Sequence, residues 1–79
     1  MNWKRIVLAD HARFEMQRRG ITSSTVAAVV RSPGQVLPSH KGRQIRQSLL
    51  GTRGRVLLRV VVTEMPGAYR VITAYDQDS

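Results

Sequence analysis

Residues 55–64 read RVLLRVVVTE, the strongest strand signal in the chain. Apolar residues recur there with a period of two, so Val56, Leu58, Val60 and Val62 share one face. Arg55, Leu57, Arg59, Val61 and Thr63 share the other. Downstream, Met65-Pro66-Gly67-Ala68 reads as a turn, and Tyr69 to Tyr75 as the last strand. Upstream, Gly51 to Gly54 reads as a turn and Arg43 to Leu50 as a loosely alternating strand. Ser39-His40-Lys41-Gly42 is a further turn, preceded by a short strand candidate, Gln35 to Leu37, that Pro38 closes.

Before residue 33 the period is helical. Asp10 is the expected N-cap of a first helix that ends at Gly20, after the cationic pair Arg18 and Arg19. Thr22 is the expected N-cap of a second helix, with Ile21 placed to fold over Val26. Val26, Val29 and Val30 then mark a buried stripe, and Ser32-Pro33-Gly34 stops the helix. The expected architecture is α+β in one domain, residues 1–79: two N-terminal helices packed on one face of a three- to four-stranded antiparallel sheet. The opposite face is left partly open.

Composition narrows the chemistry. The 79 residues include no cysteine, which excludes disulfides, thiolate nucleophiles and zinc–thiolate sites. The apolar run Ile6 to Ala9 is too short for a secretory signal or a membrane span, so a cytoplasmic location is the default expectation. Lys+Arg number 13 against 5 Asp+Glu, a net charge of +8. Arginine dominates the cations, and its planar fork suits two-point contacts to phosphate or carboxylate. The partners this suggests are RNA or an acidic protein.

Several residues are candidates for chemistry. His11 and Glu15 stand at i, i+4 on the first helix, where a carboxylate can stabilise an imidazolium, or where the two can form a plain surface pair. His40 reads as a solvated loop histidine. Two histidines without a local carboxylate cluster give no metal site, and no cofactor is expected. A four-residue loop at 51–54 sets Arg46 directly opposite Arg59, where like charges call for an anion between them; a one-residue slip separates the pair. Thr73 and Tyr75 close the last strand. A four-residue loop at 65–68 puts Tyr75 and Arg59 on opposite faces, and a three- or five-residue loop puts them on the same one. Trp3 and Phe14 can stack on a base, although core or edge packing is the simpler expectation.

The series His11-Ala12, Phe14-Glu15, Arg19-Gly20-Ile21-Thr22, Val26, Ser32-Pro33, Val36, Gly42-Arg43, Gln47-Ser48, Leu57 to Val60 and Val71-Ile72-Thr73 with Tyr75 resembles a bacterial family of small proteins related to RelE- and BrnT-type toxins. The resemblance covers residues 8–75 and implies a RelE-like α+β fold. It also implies metal-independent ribonuclease chemistry in a toxin–antitoxin-type module, with a small antitoxin-like protein as partner. By position it draws attention to His11, Glu15, Arg19, Arg43, Ser48, Arg59, Thr73 and Tyr75. Two departures stand out: Arg46 replaces a common aromatic, and the tail after Tyr75 lacks a basic continuation.

The expected function is therefore an endoribonuclease. His11 would serve as general acid or base, Arg59 would stabilise the phosphorane charge and Tyr75 would position the phosphate, while Arg43, Arg46, Arg19 and Thr73 bind RNA. The alternative is a non-catalytic basic module that holds RNA or an acidic partner against the open sheet face.

Overall fold

The computed structural model describes residues 4–51 and 56–78. Eight elements run in the order β1 (Arg5–Leu8), α1 (Asp10–Arg19), α2 (Ser23–Arg31), β2 (Gln35–Pro38), a short 3-10 turn (His40–Gly42), β3 (Gln44–Leu50), β4 (Val56–Met65) and β5 (Ala68–Asp78). The strands form one five-stranded sheet in the order β1-β5-β4-β3-β2. The segment read from sequence only as a brief apolar run, Ile6 to Ala9, supplies most of an extra strand. β1 pairs with β5 in parallel, so the sheet is mixed rather than wholly antiparallel.

Local chemistry sets the helix ends. Gly20 adopts the left-handed conformation, φ 69°, which costs a glycine nothing, and the Ile21 N–H donates back to the Met16 carbonyl at 2.8 Å. Thr22 caps α2 through Oγ1, which accepts from the Thr25 N–H at 3.2 Å. At α1 the expectation is corrected: Ala9 occupies the N-cap position, and Asp10 is the first helical residue. Its carboxylate still lies at the positive end of the helix dipole.

Both helices bury their apolar stripes on the same side of the sheet. Ala12 and Met16 of α1 and Val26, Val29 and Val30 of α2 join Leu58, Val60, Val62, Val71 and Ala74 in one core. Even-numbered residues of β4 therefore face the helices, and Leu57, Arg59, Val61 and Thr63 face away. No described element covers that second face.

Two register features decide what stands on it. Five residues, 51–55, separate the paired residues Leu50 and Val56, one more than the expected loop. The extra residue slides β3 by one position, so Arg46 pairs with Val60 and Gln47 takes the place opposite Arg59. The conformation of 52–55 lies outside the described residues. Between β4 and β5 the turn is tighter than expected, with Met65 paired to Ala68. Pro66 presets its own φ and Gly67 takes φ 77°, the residue choice of a type II turn. A regular ladder from that turn would set Arg59 opposite Ala74. A β-bulge between Val61 and Val62 leaves Ile72 unpaired and brings Tyr75 opposite Arg59 instead.

Candidate functional site

On the uncovered face, four strands contribute one row in register: Gln35 of β2, Gln47 of β3, Arg59 of β4 and Tyr75 of β5. The row is physically continuous. Gln47 Nε2 donates to Gln35 Oε1 at 2.8 Å, and Arg59 Nε donates to Gln47 Oε1 at 3.0 Å. The Arg59 guanidinium carbon then lies 5.6 Å from the centre of the Tyr75 ring, within reach of cation–π attraction. Arg59 and Tyr75 are both half-buried, and the terminal guanidinium nitrogens of Arg59 make no hydrogen bond among the described residues. Thr73 stands one step along the same face, opposite Val61.

Cations and apolar side chains flank this row. Arg5 and Arg70 project from the same face, by their register with Ala68 and Thr63. Near Gln35 and Gln47 a shallow groove of about 310 Å³ is lined by Leu49 and Leu57, and Leu49 is 58% exposed. Carboxylates lie elsewhere. Asp10 and Glu15 belong to α1, Asp76 reaches Arg19 of α1 at 3.4 Å, and Glu64 holds Lys4 at 2.6 Å. Among the described residues, the bare face thus carries arginine without opposing acid, so its positive potential is not cancelled locally.

Other candidates fall outside this row. His11 is exposed on α1, on the helix side of the sheet, and makes no hydrogen bond or ion pair among the described residues. Glu15 does not serve it. Arg18 binds the Glu15 carboxylate through two nitrogens at 2.9 and 3.1 Å, and Arg19 approaches at 3.5 Å. The Arg18 hydrogen bonds hold the Glu15 carboxyl below the usual carboxylate range, and Arg18 is raised in turn. Arg19, shared between Glu15 and Asp76, anchors α1 to β5.

Arg46, expected beside Arg59, points the other way. Its Nη1 donates to the Val30 carbonyl at 2.7 Å, so it satisfies the C-terminal end of α2. Its Nε donates to Gln44 Oε1 at 3.1 Å, and its guanidinium lies 4.5 Å from the Tyr69 ring centre. Lys4 lies 4.6 Å from the same ring. That cluster ties β3, β5, α2 and Lys4, the residue before β1, together on the helix side. The Lys4 hydrogen bond also lowers the Glu64 carboxyl below its ordinary range.

Arg43 lies one residue before β3 on extended backbone, φ −81° and ψ 163°. Ser48 Oγ accepts from the Gly34 N–H at 2.8 Å and fastens the start of β2 to β3. Phe14 is 54% exposed, so of the core or edge packing expected of it the core is excluded, and Trp3 lies outside the described residues. No cluster of three or more metal-ligating side chains occurs among the described residues. No described helix is long and apolar enough to cross a membrane.

Sequence reasoning assigns Gln47 no role. The available signal is a lone polar residue in phase with Ile45 and Leu49, where an alternating strand otherwise presents apolar side chains.

Two helices on one side of a mixed five-stranded sheet, with an arginine-bearing row on its bare side, define a small open-faced α+β protein. The chain belongs to the family described as a domain of unknown function (DUF4258), which it matches over residues 8–76. No curated protein and no solved structure is significantly similar to it.

Proposed function

We propose that this protein is a basic module that holds single-stranded RNA against its bare sheet face. Arg59 grips a phosphate, and Tyr75 and Thr73 stand beside it. The observation that carries this reading is the row Gln35–Gln47–Arg59–Tyr75, set on a face with arginines and no described carboxylate. A sheet-borne tyrosine, the exposed Leu49 and the half-buried Leu57 at the groove suit unstacked bases, whose flat faces need apolar or aromatic surface. The resemblance to RelE- and BrnT-type toxins supports RNA as the polyanion. An acidic, antitoxin-like protein would compete for the same face.

Strand cleavage is not part of this reading, because His11 lies on the far side of the sheet from Arg59. Binding of a short labelled RNA, followed by fluorescence anisotropy across a salt series, tests it. Three arginines, Arg5, Arg59 and Arg70, face the strand, and each phosphate contact contributes roughly 0.7 to the slope of log K against log salt. The expected slope is therefore about −2, with the RNA recovered intact. Absence of binding at low salt contradicts the proposal. Cleavage abolished by Tyr75→Phe would instead favour a toxin-like endoribonuclease in which the phenol carries the proton.

A further inference from the structure

Gln47 lies on the face that no helix covers, yet it is only 9% exposed, the only buried polar side chain among the described residues. A desolvated amide is costly unless donor and acceptor are both engaged. Here both are. Its Nε2 donates to Gln35 and its Oε1 accepts from Arg59 Nε, so the amide has one orientation, with oxygen toward the guanidinium. A guanidinium presents two forks to an anion: one includes Nε, and the other consists of both terminal nitrogens. Gln47 consumes the first. The second remains free of hydrogen bonds among the described residues.

We propose that Gln47 is a positioning residue that presets Arg59 as an end-on fork for a single phosphodiester group, making the middle of the bare face a preorganised anion subsite. This rests on the reading of that face as an RNA surface. An unrestrained arginine stem samples many rotamers and loses that freedom when it closes on a phosphate. With Nε already held, part of the loss is taken during folding.

Gln47→Met keeps the length and approximate volume of the side chain and removes both hydrogen bonds. The wild type, Gln47→Met, Arg59→Gln and the double variant are each titrated with a short single-stranded RNA and, separately, with inorganic phosphate. Gln47→Met is expected to weaken both probes about 3- to 10-fold, the effect of releasing one long side chain. Its salt slope stays at the wild-type value, since no charge is removed. In the Arg59→Gln background the same change is expected to do nothing, because Gln47 acts through Arg59.

Unchanged binding in Gln47→Met overturns the proposal. So does an equal loss in both backgrounds, which marks a general contribution to the sheet. Phosphate binding that depends on Gln47 without any RNA binding upholds the subsite and removes the RNA reading; failure of the wild type to bind either probe removes both. Should Gln47→Met fail to fold, the wild type alone decides through the Arg59 Nε–H resonance. A proton protected from exchange is expected, and one that exchanges as fast as that of exposed Arg13 contradicts the proposal.

Discussion

Arg59→Glu is expected to reduce RNA affinity about 10- to 100-fold at low salt, the loss of one charge-assisted phosphate contact of roughly 1.5–3 kcal/mol. The reversal also places a repelling carboxylate at the centre of a face that has none among the described residues. The slope of log K against log salt should become shallower by at least about 0.7. Arg13→Glu supplies the matched control: it changes net charge equally but lies exposed on α1, on the other side of the sheet. A change of about twofold or less is expected there, as a rim charge acts only through the long-range field. Equal losses from the two variants would mean that net charge, and not the row across β2, β3, β4 and β5, governs binding.

Leu58→Ala should produce the largest loss of stability. Leu58 is 1% exposed and sits among Val60, Val62 and both helices' apolar stripes. Truncation of a buried leucine costs about 2–5 kcal/mol, through lost transfer energy and the cavity left behind. A domain of this size shifts its melting temperature about 4–8 °C per kcal/mol, so a fall of at least about 8 °C is expected by calorimetry. With so small a core, that is a large fraction of the total stability. Leu57→Ala, one residue away on the bare face, should cost far less. Equal costs would contradict the assignment of faces on β4.

Features written in consecutive residues were legible in the sequence. The left-handed Gly20, the Thr22 cap, the valine stripe of α2 and the Pro66-Gly67 turn are each decided by chemistry within a few residues. The even-numbered face of β4 was legible for the same reason. Pairing between distant segments was not. β1 offers four residues, Arg5 to Leu8, and finds its place only because β5 presents a parallel edge. Long-range pairing of so short a segment leaves no local mark.

The site depends on two further counts of residues, and each decides a face. One additional residue between Leu50 and Val56 moves Arg46 to the helix side, where it caps α2 and packs on Tyr69. The bulge at Val61/Val62 does the opposite for Tyr75, returning it to the face of Arg59. Because strand side chains alternate, a single-residue offset inverts the outcome, and loop length read from sequence is accurate only to about that margin. Of the trio His11, Arg59 and Tyr75, the structure brings together the two strand residues and leaves the helical one apart.

The most direct test of the bare-face account is amide and side-chain chemical-shift mapping of the ¹⁵N-labelled protein titrated with single-stranded RNA. The predicted result is a contiguous set of perturbations at Gln47, Arg59, Val61, Thr73 and Tyr75, with His11, Phe14 and Arg18 of α1 unmoved. Perturbations centred on α1, with Arg59 and Tyr75 silent, would contradict it.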